Sequence, residues 1–223
     1  MIYRPWMPNP RELGEADMQD MLLPRRYWVT DPSLFPDGAV ETTSGVNNLN
    51  RGRSAKAVLE SYISKLEMAR LNGLNLWLAG RNGVGKTAAA AHLLKLFRSH
   101  GQTCHYVHAE TYRSINFRDR EIPDQGLLSA ICMTSDVLMI DEVGKEAPDN
   151  SGFFASRLEY LLRERYANGA VTIVTANFGV HRICEVYPDK MSLAHLLSQS
   201  YGQVACNGRD LRESIDRVGF DTI

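Results

Sequence analysis

The octapeptide Gly80-Arg81-Asn82-Gly83-Val84-Gly85-Lys86-Thr87 has the G-x-x-x-x-G-K-T spacing of a phosphate-cradling loop. Its glycines let backbone N–H groups turn inward around phosphate oxygens, and a helix starting behind the loop adds its partial positive charge. Lys86 has the reach to meet β- and γ-phosphates, and the Thr87 hydroxyl is a hard oxygen donor suited to Mg²⁺. Further along, four apolar residues (VLMI) run into Asp141-Glu142. A carboxylate at the end of a buried strand is the expected second half of such a site: Asp141 to hold Mg²⁺, Glu142 to orient or deprotonate an attacking water. The run VTIVTA ends in Asn177, a polar group able to reach a γ-phosphate or that water. Each has a plainer reading: a glycine-rich turn, two surface acids, an asparagine in a turn.

These groups need elements to position them. An apolar strand, LNLWLA (74–79), leads into the loop and an alanine-rich helix (87–100) leads out, the context the motif requires. The spacing predicts a single helix over 54–71, stopped by Asn72-Gly73, and a short strand over 104–108 (CHYVH). It predicts a helix over 126–133, a buried strand over 137–141, and an amphipathic helix over 151–168 with Phe154, Leu158, Leu161 and Leu162 on one stripe. A strand over 171–176 follows, then helical segments near 181–187 and 192–201 and a strand at 203–206. Strands alternating with helices predict a parallel sheet covered on both faces.

The composition fits a soluble globular chain of 223 residues: 44% is apolar and 23% charged. A net charge of −1 provides no global basic field for nucleic acid, though a local patch stays open. Cys104, Cys132, Cys184 and Cys206 are scattered without a C-x-x-C pair, which argues against structural zinc or a disulfide framework. The start, MIYRPWMPNPRELG, has no apolar signal core, and no stretch approaches the ~18 apolar residues of a membrane span. The expectation is a cytoplasmic protein with no membrane partner.

The CHYVH strand lies between the two motif strands, and a glutamate follows Asp141. Both traits mark the additional-strand, catalytic-glutamate branch of P-loop ATPases. No N-K-x-D guanine-reading motif is present, which favours ATP over GTP. In order along the chain, LLPRRYW, LAGRNGVGKTAAAAHLL, VLMIDEVGKE, LRERYANGAVTIVTANF and VACNGRDLR resemble the AAA+ ATPases of the DnaC/DnaI helicase-loader type and the related IstB transposition ATPases. The resemblance covers roughly residues 20–215.

That resemblance implies an α/β, three-layer P-loop NTPase fold of the AAA+ kind, with a mainly parallel five-stranded sheet and a reduced or absent C-terminal lid. It implies an arm over residues 1–50 that binds a partner and an ATPase domain over 51–223. Lys86, Thr87, Asp141 and Glu142 would bind and hydrolyse MgATP, Asn177 would be sensor 1, and Arg212 matches a late arginine near the nucleotide. The implied partners are a hexameric replicative helicase and single-stranded DNA, with an ATP-dependent homo-oligomer also open. A transposition helper ATPase and a weakly hydrolysing ATP-gated adaptor are the alternatives.

The chain departs from that pattern before the last strand. The family's trans-acting arginine would lie in MSLAHLLSQSYGQV, which contains none: either Arg157, Arg163, Arg165 or Arg182 supplies it, or self-assembled hydrolysis is weak. For DNA, residues 109–125 hold Tyr112, Arg113, Phe117, Arg118 and Arg120, an aromatic and arginine mixture suited to stacking and backbone contact. Glu110, Asp119 and Glu121 beside them keep a solvated helix face as the competing reading.

Overall fold

In a computed structural model of the chain, residues 4–38, 48–116, 125–146 and 151–211 are described. The elements are α1 (Glu15–Asp20), α2 (Ala55–Ile63), α3 (Leu66–Leu71), β1 (Asn75–Ala79), α4 (Lys86–Ser99), β2 (Cys104–His108), α5 (Ala109–Asn116), α6 (Gln125–Thr134) and β3 (Val137–Val143). After these come α7 (Phe153–Ala167), β4 (Val171–Ala176), α8 (Ile183–Val186), α9 (Met191–Ser200) and β5 (Tyr201–Ala205).

The five strands form one parallel sheet in the order β2-β3-β4-β1-β5. β1 lies between β4 and β5, with Trp77 opposite Val174 on one side and Gln203 on the other. β2 pairs with β3, setting His108 beside Asp141. Alternation along each strand builds two cores. Leu76, Leu78, Met139 and Ile173 face α2, α3, α4 and the arm, while Trp77, Leu138, Ile140 and Val174 face α5, α7 and α9. Each fully buried leucine in these layers contributes about 1.5–3 kcal/mol. This is the three-layer α/β architecture that the alternating pattern implies.

The segment 54–71 is two helices rather than one. Lys65, at φ −124° and ψ 28°, breaks the chain between α2 and α3. β3 continues two residues past Asp141, with a register irregularity against β4 between Ile140 and Val143. The last strand runs from Tyr201 to Ala205 instead of 203–206. Among the described residues no helix is long and apolar enough to cross a membrane.

The arm belongs to the first core. Met18, Met21, Leu23 and Phe35 are buried with α4. The backbone N–H of Tyr106 donates to Met21 O at 2.8 Å, so the arm covers part of the edge left open by β2. Lys95 of α4 donates to the carbonyls of Trp28 (2.9 Å) and Thr30 (3.3 Å), and His92 Nδ1 lies 3.0 Å from the latter oxygen.

Candidate functional site

β1, β3 and β4 all end at the same edge of the sheet, and their C-terminal ends bring the chemistry together. The loop leaves β1 at Gly80 and enters α4 at Lys86. Gly85 takes φ +95° as the residue before the helix, and a side chain there would start 2.3 Å from the Leu34 carbonyl oxygen. Gly83 takes φ +82°, with the Asp210 carboxylate where its Cβ would be. Only glycine tolerates both demands. The result is a helix that starts directly behind the loop, and the first N–H groups of a helix have no partner within it.

Lys86 is 8% exposed and its ammonium donates to the carbonyls of Gly80 (2.7 Å) and Arg81 (2.8 Å) and to Asn177 Oδ1 (3.2 Å). Burial lowers its pKa. The strand-end asparagine therefore meets the loop lysine, as their expected roles around one phosphate require.

Asp141 is fully buried and well partnered. Thr87 Oγ1 donates to Oδ1 at 2.9 Å, Thr175 Oγ1 to the same oxygen at 2.6 Å, and the Tyr106 hydroxyl to Oδ2 at 3.2 Å. Thr87, which lines the cavity, and Asp141, buried directly behind it, are thus two adjacent hard oxygen donors, a donor set that suits Mg²⁺. The Tyr27 phenol neighbours them; burial and the Asp141 charge raise its pKa.

Glu142 adopts φ +63°, a left-handed conformation that a side chain adopts at a cost on the order of 1 kcal/mol or more. Its N–H is held by Thr175 Oγ1 at 3.0 Å. The bend turns its carboxylate out of the sheet to meet two donors. His108 Nε2 lies 3.1 Å from Oε2 and Lys145 Nζ 2.7 Å from Oε1. His108 Nδ1 accepts from Glu110 N at 3.2 Å, which leaves the ring proton on Nε2, aimed at Glu142. Burial pushes the Glu142 pKa up, but the bonds from Lys145 and His108 outweigh it, and the net shift is downward.

A cavity of about 330 Å³ joins these groups. Lys86, Thr87, Glu142 and Asn177 line one part; Arg26, Tyr27, Thr30 and Leu34 of the arm and Leu211 of the tail line the rest. The tail crosses the loop, with Leu211 N donating to Gly83 O at 2.9 Å and Arg81 Nη2 to Gly208 O at 2.8 Å. Arg212 lies outside the described residues, as do Phe117, Arg118 and Arg120.

Two expectations are corrected. Tyr112 is 3% exposed, packed on Phe154 with its hydroxyl bonded to Arg157 O, so its ring offers no face to a nucleic-acid base. Arg113 folds back onto Glu110 at 3.0 Å. Arg165 is wholly buried, donating to Thr172 Oγ1 and to the carbonyls of Cys132, Ser135 and Val171. It cross-braces α6, α7 and β4 and reaches no second molecule. Sequence reasoning missed His108, Lys145, Thr175, Tyr106, Arg26 and Tyr27 as site residues. The signals were their positions beside recognised strand ends and within the LLPRRYW cluster.

No protein-family profile matches the chain. No curated protein matches it either. Solved structures do. The DnaI structure is similar with a TM-score of 0.60 at 20% identity, covering 83% of this chain and 95% of that one. The DnaC helicase loader is similar with a TM-score of 0.60 at 18% identity, covering 82% of this chain and all of that one (100%). AMPPCP-bound DnaA from Aquifex aeolicus is similar with a TM-score of 0.56 at 12% identity, covering 79% of this chain and 55% of that one. The chain therefore carries the P-loop, AAA+-type fold shared by the DnaI, DnaC and DnaA structures.

Proposed function

We propose that this chain is an ATP-binding and ATP-hydrolysing DNA-replication protein that loads a replicative helicase onto single-stranded DNA. The observation that carries the ATPase half is the convergence of Lys86, Thr87, Glu142 and Asn177 on one cavity at the strand ends, with Asp141 buried directly behind Thr87 at 2.9 Å. The helicase half draws on the fold shared with the DnaC loader and DnaI.

In this reading the loop's N–H groups and Lys86 hold the phosphates. Thr87 and Asp141 hold Mg²⁺, which when bound neutralises charge on the phosphate oxygens. Asn177, already on Lys86, orients the terminal phosphate or the water. Glu142 takes a proton from that water as its oxygen bonds to the γ-phosphorus and the bond to the β–γ bridging oxygen breaks, giving ADP and phosphate. The arm over residues 1–50 binds the helicase, residues 51–223 form the ATPase domain, and nucleotide state sets which conformation is held.

A second reading has an observation of its own. Glu142 is bonded to both His108 and Lys145, and the segment 191–204 has no arginine. Both favour an adaptor that keeps ATP as a gating ligand and turns it over slowly.

The test is co-purification of the chain with a hexameric replicative helicase, with and without MgATP, alongside ATP turnover with and without single-stranded DNA. A complex retained in Glu142→Gln and lost in Lys86→Ala, with Glu142→Gln turnover down by about 10²-fold or more, supports a hydrolysing loader. A complex with negligible turnover under every condition selects the adaptor. No complex with a replicative helicase overturns the helicase half and leaves the ATPase half to the turnover measurement.

A further inference from the structure

Among the described residues two cations line the cavity: Lys86 from the loop and Arg26 from the arm. Arg26 lies in a 3₁₀ turn, Arg25–Tyr27, closed by Tyr27 N on Pro24 O at 2.9 Å and Trp28 N on Arg25 O at 3.0 Å. The turn is pinned from both sides. Lys95 of α4 holds the Trp28 carbonyl, and Trp28 Nε1 donates to Leu23 O at 2.7 Å.

The guanidinium of Arg26 lies over the Tyr27 ring, 4.7 Å from its centroid. That ring's phenol neighbours Thr87 and Asp141. Tyr106, the other phenol at this end, donates to Asp141 Oδ2 at 3.2 Å. Arg26 thus stands at the metal-ligand end of the cavity. Among the described ion pairs none involves Arg26, whereas Arg11, Arg70, Arg98, Arg113, Arg163 and Arg182 each pair with an acid. Its neighbour Arg25 stacks on Trp28 instead, 5.5 Å from that centroid, and does not line the cavity.

A bound triphosphate is the natural counter-charge. It carries several negative charges, and a planar guanidinium held on a rigid turn can bond phosphate oxygens in pairs with little ordering cost. In the nucleotide reading above, Thr87 and Glu142 mark the terminal-phosphate end, and Arg26 lines the same cavity as both. We propose that Arg26 is a phosphate-binding residue of this chain's own site, contacting the terminal phosphate of a bound nucleoside triphosphate and supplying from within the chain part of the positive charge that segment 191–204 lacks. This rests on the nucleotide reading above.

Calorimetric titration of a β,γ-methylene ATP analogue with Mg²⁺, and separately of MgADP, tests it on wild type, Arg26→Ala, Arg26→Lys, Arg25→Ala and Lys86→Ala. Arg26→Ala should weaken the triphosphate by about 10- to 100-fold and leave MgADP within about threefold, as loss of one charged hydrogen-bonding group predicts. Arg26→Lys should fall between, because it keeps the charge and loses the fork. Arg25→Ala should match wild type. Equal weakening of both nucleotides, or no change in either, overturns the assignment while the nucleotide site stands. Arg26→Lys carries the same comparison should Arg26→Ala fold poorly. Wild type binding neither nucleotide overturns the underlying reading as well, and Lys86→Ala marks what a lost site looks like.

Discussion

Glu142 and His108, 34 residues apart in sequence, meet at 3.1 Å across neighbouring strands, and Lys145 takes the other carboxylate oxygen at 2.7 Å. A base sharing its lone pairs with two donors is weaker than a free one, consistent with the lowered Glu142 pKa. Lys145→Ala should raise Glu142 basicity and increase basal ATP turnover roughly two- to fivefold, given the partial sensitivity of general-base catalysis to basicity. Steady-state phosphate release across pH 5–8 reads this directly. The acid limb of the profile should move upward in the variant, and an unmoved limb would count against Glu142 as the titrating base.

Gly85 and Leu34 provide a steric prediction. A Cβ at position 85 would lie 2.3 Å from the Leu34 carbonyl oxygen and would sit on a residue with φ +95°. Gly85→Ala must therefore displace the loop, the arm or both. MgATP affinity should fall by at least about tenfold, since phosphate contacts depend on sub-ångström placement of the loop N–H groups. Fluorescence from Trp28, whose carbonyl is held by α4, should report arm movement in the same variant.

At the opposite end of the sheet the important pair is structural. Arg70 Nη2 lies 2.6 Å from Asp136 Oδ1, with Gln102 on Arg70 Nε at 2.8 Å and Thr103 on the other Asp136 oxygen. Both side chains are buried. Asp136→Ala leaves a buried guanidinium unpaired and should cost about 3–5 kcal/mol. Replacing both, Arg70→Met with Asp136→Leu, should recover much of that loss. Urea denaturation measures the stability, and nucleotide affinity of the folded fraction should not change.

Acid should weaken the fold through two histidines. Burial lowers the pKa of His92 and of His105 below the ordinary 6.5. The unfolded chain then binds more protons than the native one as pH drops through that value. The stability these residues contribute is present above about pH 6.5 and is lost as pH falls toward their native pKa values. The urea midpoint should drop between pH 7 and pH 5.5, and the slope should flatten in His92→Gln and His105→Asn. A midpoint flat over this interval in wild type would contradict the assignment.

Much of the architecture was legible because apolar runs in a parallel sheet are long and bounded. CHYVH and VTIVTA were read with their observed limits. The split between α2 and α3 was not, because Ala55, Val58, Tyr62, Leu66 and Ala69 keep helical spacing straight across the break. α1 was missed because it is six residues of mostly polar sequence, whereas a helix within 109–125 was among the readings and α5 occupies Ala109–Asn116, burying Ala109, Tyr112 and Ile115. At the site, the loop and Asp141-Glu142 were readable from local spacing. His108 and Tyr106 were not, since their role depends on which strand lies beside β3. Arg165 was one of four arginines named as a candidate trans-acting group; only the packing of α6 and β4 around it supplied four acceptors.

The Leu34 carbonyl against Gly85, with Tyr27 beside Thr87, means that the arm and the phosphate loop share walls. Free energy linking two such sites runs equally in both directions. Whatever grips residues 24–36 is then an exchange effector for any nucleotide held there. A partner that draws the turn outward would weaken nucleotide binding, and one that presses it inward would strengthen it by the factor by which nucleotide tightens that partner's hold.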